Sequence, residues 1–450
     1  MSRSVLVVGG GFKGMISAYL LREQGFEVTL LEKAPFLGGI MHSRSWKDYI
    51  VDNGVHLFDS IPKPLGEIIS KVMDGKVFNV DFNYASAYQK VTTPGLAIPD
   101  FTAIDDEKKK QILFELAQQL THTPSATPAS LYQHFQERYG DSAADLMNES
   151  FSFIYRISAD AVEPNCINQT AFHRLKFLPD DVAIELKKHP VLDDRLAAMR
   201  VNLGKVDDLI SMYPGERGML GFCEKMTQAL SEMGVNILTG TAIETMDLSR
   251  DGVICTLTNG DSLKADHLWW AGLFSQLAQT WKGDGRLEEL LHGTPMVLYY
   301  FEVKQQFVQD YTYFHQFSAG QRVFRPAAAG SYGQQVTSEG ATFITVECPC
   351  EKDGDLWASP ESFAEEVWRE CIDMGILAPN TPSFLDFHFV KAPVTHRYAK
   401  CGYEAIAQKI EGDIEALSGS LIVPSRNAFT RREIFLTVEE SVREFVEGNG

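Results

Sequence analysis

The chain has 450 residues, 44% hydrophobic and 22% charged, which excludes a disordered polymer and allows one large core or two to three smaller ones. Its net charge of −19, from 60 acidic against 41 basic residues, is spread along the sequence and argues against a nucleic-acid partner held by phosphate neutralisation. Seven cysteines show neither zinc spacing nor a redox C-x-x-C, and read as reduced thiols of a soluble, cytoplasmic protein.

The first element in chain order is Val5-Leu6-Val7-Val8, a continuous apolar run of the kind buried on both faces of a parallel sheet. Glycine breaks it too early for a signal peptide, so secretion is not expected. No stretch reaches the roughly 18 to 20 apolar residues of a membrane span. The following Gly9-Gly10-Gly11-Phe12-Lys13-Gly14 has the G-x-G-x-x-G pattern. Gly9 permits the tight turn, Gly11 lets backbone approach a pyrophosphate, and Gly14 lets a helix lie close on the strand. Met15 to Gln24 has helical apolar spacing, and the helix N-terminal amides would face phosphate. Val28 to Leu31 reads as the second strand. Glu32, 18 positions after Gly14, ends that strand, where a carboxylate can accept both ribose hydroxyls. Strand, turn, helix, strand and acid together predict a dinucleotide site.

Residues 33 to 39, Lys-Ala-Pro-Phe-Leu-Gly-Gly, add a paired glycine that supplies a second close approach to pyrophosphate. The whole of Val5 to Gly39 resembles the extended motif of the FAD-binding glutathione reductase and amine oxidase superfamily. That resemblance implies FAD, with Gly9, Gly11, Phe12, Lys13, Gly14, Glu32, Lys33, Gly38 and Gly39 among its contacts. It also implies an α/β fold, a Rossmann-like FAD domain carrying an inserted helical region and an antiparallel-sheet substrate region. Asp52-Asn53-Gly54-Val55-His56 resembles the D-x-G-x-H segment of the protoporphyrinogen oxidase-like and UDP-galactopyranose mutase-like members, which passes near the isoalloxazine. His56 is therefore a candidate for contact with flavin or substrate, against the alternative of a core histidine held by a backbone carbonyl.

Residues 106 to 120 and 130 to 156 show helical periodicity around a Thr/Pro/Ser-rich loop, with more helix expected to about residue 200. Tyr213 to Met219 resembles the family's glycine turn, and Phe222 to Glu232 has the spacing of the helix after it. Thr241 to Met246 aligns with the family strand whose backbone packs on adenine, which gives Ile243 that role. Val253 to Leu257, a turn at Asn259-Gly260, and Ser262 to Leu268 read as a hairpin. Trp269 and Trp270 are expected to serve packing. Residues 294 to 350, rich in Val, Tyr, Phe and Thr, read as antiparallel sheet. There Cys348 and Cys350 read as small buried residues. Arg325 follows an aromatic where the family places a pocket arginine, able to hold a carboxylate or phosphate with its forked donors, or else to form a surface salt bridge. Tyr155, Arg156 and Tyr398 are further pocket candidates.

Leu421 to Val423 reads as a short strand. Pro424-Ser425-Arg426 follows where the family has Gly-Asp or Gly-Arg, so Arg426 matches and Ser425 departs. Thr437 with Glu440 fits the S/T-x-x-E capping box of the last helix. By resemblance that helix start, at Thr437 and Val438, addresses the flavin N1 and O2 edge, where its partial positive charge would stabilise a reduced, anionic ring. The expected domains are 1–60, 205–285 and 385–450 for FAD, a mainly helical insertion at 61–204, and a sheet at 286–384.

No GxSxG elbow, HExxH or P-loop occurs, and no metal site is expected. The first functional reading is an FAD-dependent oxidoreductase that takes hydride from a small polar substrate such as an amine onto flavin N5, with His56 and Arg325 as candidate catalytic residues. The second is a redox-neutral mutase acting on a nucleotide sugar. The third is a non-catalytic binding protein resembling the GDP-dissociation inhibitors, against which Glu32 and Gly38-Gly39 argue.

Overall fold

Val5, Leu6 and Val7 are all but fully buried, because their strand, Ser4–Val8, lies in the middle of a five-stranded sheet in which every neighbouring pair runs parallel. The order across this sheet is Asn236–Thr239, Glu27–Glu32, Ser4–Val8, His267–Trp270 and Leu421–Ile422. The structure, a computed structural model, describes residues 3–121, 125–199, 209–215, 217–249, 252–416, 420–424 and 426–449. Helix Phe12–Glu23 follows the first strand, and the last helix, Arg431–Asn449, packs beside it. Phe445 of that last helix ties helix to sheet by ring contacts at 5.1 Å to Phe26 and 5.9 Å to Trp269. Trp269 is fully buried and donates its indole N–H to Ser17 Oγ at 2.9 Å, while Trp270 donates to Leu273 O. Both tryptophans therefore pack, as expected.

The chain divides into two compact units, Met1–Val80 with Asp207–Glu289 and Ala405–Gly450, and Asp81–Val206 with Leu290–Glu404. The first holds the parallel sheet. It also holds an antiparallel three-stranded sheet of Ile243–Ser249, Gly252–Leu257 and Ser262–Ala265. The expected strand from Ser262 to Leu268 is in fact two strands. The chain leaves one sheet at Asp266 and joins the other at His267, with Ser4 N–H and Oγ–H both donating to the Asp266 carboxylate at 2.8 Å.

The second unit is built on a seven-stranded sheet in the order Asp386–Ala392, Met296–Lys304, Ala341–Pro349, Arg325–Ala327, Tyr313–Gln316, Tyr84–Tyr88, Val91–Pro94. Its pairs are antiparallel except Tyr313–Gln316 with Tyr84–Tyr88, which run parallel. Two of these strands come from the 61–204 segment expected to be mainly helical. Short strands of three to five residues carry too little periodic signal to be separated from loops. One face of the sheet carries Val297, Tyr299, Phe301, Phe314, Ile344, Val346 and Cys348, packed with Val367, Trp368 and Cys371 of helix Ala364–Met374. Residues 130 to 156 form two helices, Leu131–Tyr139 and Asp141–Tyr155, broken at Gly140 with φ +89°. Glu115 satisfies the start of the second by accepting from Ser142 N–H at 2.7 Å. Among the described residues no cysteine is in a disulfide, and no helix is long and apolar enough to cross a membrane.

Candidate functional site

Gly9 has φ +103°, and a Cβ there would lie 2.9 Å from Gly272 N. A Cβ on Gly14 would run into the Gly9 carbonyl, so helix and strand approach as closely as the motif requires. Gly11 differs, since a Cβ there would meet nothing within 4 Å. Its surface is open, which is the condition for a ligand to come against the backbone. Gly11 is the N-cap of helix Phe12–Glu23 and offers no side-chain bond. The amides of Phe12, Lys13 and Gly14 precede the first helical hydrogen bond, made by Met15 N–H to Gly11 O, and their positive end faces out from the turn.

The second glycine pair closes on the first. Gly38 N–H donates to Gly10 O at 2.8 Å, Gly38 bridges Gly11, and a Cβ on Gly39 would lie 3.4 Å from Gly11 Cα. Gly38 has φ +114°, and any side chain there would collide with Cys223 Sγ. Glu32 is held at the rim: Oε2 accepts from Gly10 N–H at 2.6 Å and Oε1 from Ala34 N–H at 2.8 Å. The carboxylate thus has a fixed direction, with lone pairs left for hydroxyl donors. Lys13 Nζ donates to Pro424 O at 3.3 Å, and burial lowers its pKa to about 8. Lys33 is exposed and carries no further geometry of note.

Next to this turn lies a buried polar group that the sequence reading only partly saw. Asp52, 2% exposed, accepts from Ser43 Oγ–H and, at 2.8 Å, from Tyr213 O–H. Burial raises its pKa to about 6, against the opposing pull of those two hydroxyls and of Arg431. Arg431 was not anticipated. Its Nη1 donates to Leu57 O at 2.8 Å, and its Nη2 lies 2.9 Å from His56 Nδ1. A guanidinium only donates, so His56 Nδ1 accepts and the ring proton sits on Nε2. His56 is therefore held by a side chain and not, as the alternative reading had it, by a backbone carbonyl.

The last helix begins at Arg431, six residues before Thr437. The working capping box is Thr430 with Glu433: Glu433 N–H donates to Thr430 Oγ1 at 3.1 Å, and Thr430 N–H to Glu433 carboxylate at 2.9 Å. Thr437 instead bonds Ile434 O within the helix, and Val438 is fully buried. Neither stands at a helix start, which corrects their expected role. The two T-x-x-E patterns are seven residues apart, two helical turns, and share a face, so apolar periodicity does not choose between them. Arg426 is engaged by Glu411 at 2.7 Å. Ile243 opens its strand beside Leu257, ahead of a bulge, and is half-buried. Ser425 and Glu216 lie outside the described residues.

In the second unit Arg325 does not present a free fork. Its Nε and Nη2 donate to both oxygens of Glu347 at 2.9 and 2.8 Å, and Glu347 is almost fully buried. The expected surface salt bridge or anion holder is a bidentate pair in which Glu347 is buried and Arg325 half-buried. Tyr155 packs on Tyr398 at 4.6 Å and on His396 at 5.5 Å, and Tyr398 donates to Gln169 O. Arg156 donates to Pro349 O at 2.6 Å. Among the described residues no group of acidic, histidine and cysteine side chains could hold a metal.

Residues 7–72 match the family profile of the NAD(P)-binding Rossmann-like domain. An uncharacterised protein from the nifH2 3′ region of Methanothermococcus thermolithotrophicus is 36% identical over 81 residues, 18% of this chain and 68% of that protein. A 1-hydroxycarotenoid 3,4-desaturase from Flavobacterium sp. (strain P99-3) is 29% identical over 82 residues, 18% of this chain, and the match spans 16% of the desaturase. The whole chain shares its fold with reduced UDP-galactopyranose mutase, at 14% identity and TM-score 0.73, covering 98% of this chain and 93% of that one.

Proposed function

From a chain that belongs to the family of the Methanothermococcus protein, and whose residues 7–72 are an NAD(P)-binding Rossmann-like domain, we propose that this protein is an FAD-dependent oxidoreductase. The observation that carries the choice of FAD is the closure of Gly38-Gly39 on the first glycine turn, with Gly38 N–H on Gly10 O and Gly39 beside Gly11. That second turn supports a pyrophosphate gripped from two sides, beyond what the first turn alone offers.

When bound, FAD supplies a two-electron acceptor for hydride taken from a small-molecule substrate. This chain's residues do the rest. The open Gly11 backbone and the amides of Phe12, Lys13 and Gly14 receive the pyrophosphate. Lys13 adds a cation whose charge burial disfavours until an anion arrives. Glu32, pre-oriented by two backbone donors, accepts the ribose hydroxyls, and Ile243 lends backbone to adenine. Arg431 fixes His56 with its Nε2–H as a donor, and Asp52, Ser43 and Tyr213 hold the segment that carries it. Two competing readings lose support. A nucleotide-sugar mutase needs free arginines for a diphosphate, and Glu347 takes Nε and Nη2 of Arg325, leaving only Nη1 for a ligand. A binding protein without flavin has no use for the paired glycine turns.

The test is the visible spectrum of the purified protein, followed by FAD titration. Flavin bands are expected, and Glu32→Ala should raise the FAD dissociation constant about tenfold or more, the worth of a charge-assisted bond. A colourless protein that FAD cannot reconstitute would overturn the reading.

A further inference from the structure

The face of the seven-stranded sheet opposite the apolar core carries two cross-strand rows. The register Tyr84↔Tyr313, Tyr313↔Ala327, Ala327↔Thr345 and Thr345↔Tyr300 defines the first. The second holds Ser86, His315, Arg325 and Glu347: His315↔Ser86 and Arg325↔Glu347 are paired, and the Gln316 N–H bond to Phe324 O puts His315 beside Arg325. Tyr84 and Tyr313 are stacked at 5.9 Å with 15° between their planes. Both rings, with His315 and Arg325, are partly exposed, whereas Ser86 beneath them is fully buried.

Ser86 Oγ and His315 Nε2 are each buried and make no hydrogen bond among the described residues. Buried polar groups left without a hydrogen bond are destabilising, so two of them side by side call for a partner. His315 Nδ1 lies 3.4 Å from Ala97 O and is the donor there, which leaves Nε2 as a lone pair. One strand over, Arg325 Nη1 has donors that Glu347 does not take. A hydroxyl can donate to Nε2 and accept from Nη1 together.

Around His315 the charges cancel. Arg325 and Glu347 neutralise each other. Burial, aided by the Arg325 charge, lowers His315 to about 3 and His396 to about 4, so both imidazoles are neutral. A carboxylate, phosphate or ammonium placed here would lose water without gaining a counter-ion.

We propose that the sheet face formed by Ser86, His315, Arg325, Tyr84 and Tyr313 binds an uncharged ligand that carries a hydroxyl on a planar, unsaturated frame. The hydroxyl sits between His315 Nε2 and Arg325 Nη1, and the frame lies against the tyrosine rings. Naming this ligand the substrate rests on the flavoenzyme reading above; its binding does not.

Calorimetry on the full-length protein with three probes of one shape, 2-naphthol, 2-naphthoate and 2-naphthylmethylammonium, tests this. The neutral probe should bind at least tenfold more tightly than either charged one. His315→Phe should weaken 2-naphthol about fivefold or more while the flavin content stays unchanged. Glu347→Gln, which leaves the Arg325 charge unbalanced, should turn the preference towards 2-naphthoate. Equal or tighter binding of a charged probe to the unaltered protein, or an unchanged 2-naphthol affinity in both His315→Phe and Tyr313→Ala, overturns the proposal. Flavin absorbance is read on the same samples, so failure of the FAD reading and failure of this one are separate results.

Discussion

Asp52 is the residue whose environment departs furthest from what its place in the sequence suggests. Its folded pKa of about 6 stands above the ordinary carboxylate value, because burial penalises the charged form more than Ser43 and Tyr213 support it. The sign follows from linkage. Between the unfolded pKa near 4 and the folded value near 6 the native state binds the extra proton, so this contribution to stability is complete below about pH 4 and is lost as pH rises through about 6. Asp52→Asn should remove that loss, worth on the order of 2 kcal/mol, when urea unfolding is compared at pH 4 and pH 7; an unchanged pH slope would contradict the assignment. Gly14 makes a second case. Its Cβ would occupy the space of the Gly9 carbonyl, so Gly14→Ala should separate helix from strand and cut FAD affinity by more than tenfold in the same titration. Gly14 was readable from spacing alone, because only glycine fits a contact so close. Arg431 was not, since nothing local marks a side chain that reaches back 375 positions to His56.

At the scale of elements, the last helix shows how a correct motif can be set in the wrong place. Thr430 and Glu433 cap it reciprocally, while Thr437 sits inside it. Thr430→Ala should therefore cost about 1 kcal/mol in urea unfolding. Thr437→Ala should cost a few tenths of that, because its hydroxyl only duplicates a bond to a carbonyl already used by the helix. The reverse order would mean that the helix starts later. The Asp266 break follows the same logic. Period-2 alternation runs from Ser262 to Asp266 and slips at His267, and there Ser4 captures the Asp266 carboxylate and the chain changes sheets. The partner that decides the break is 262 residues away.

Across the whole molecule, the dinucleotide grip is the part that local sequence specifies. Strand, glycine turn, helix and Glu32 interact within 32 consecutive residues, so backbone sterics and local hydrogen bonds are enough to specify them. Local sequence also specifies that an antiparallel sheet follows, from the β-branched and aromatic run at 294 to 350. Long-range packing is what adds Tyr84–Tyr88 and Val91–Pro94 to that sheet, sets Glu347 against Nε and Nη2 of Arg325, and brings Arg431 to His56. Each of these joins residues far apart in the chain, and such a pairing is set by the summed burial of the elements around it, which no local pattern records. The glycine turn was legible because its physics is local, and the chemistry of the sheet face was not because its physics is shared among strands from three separate stretches of sequence.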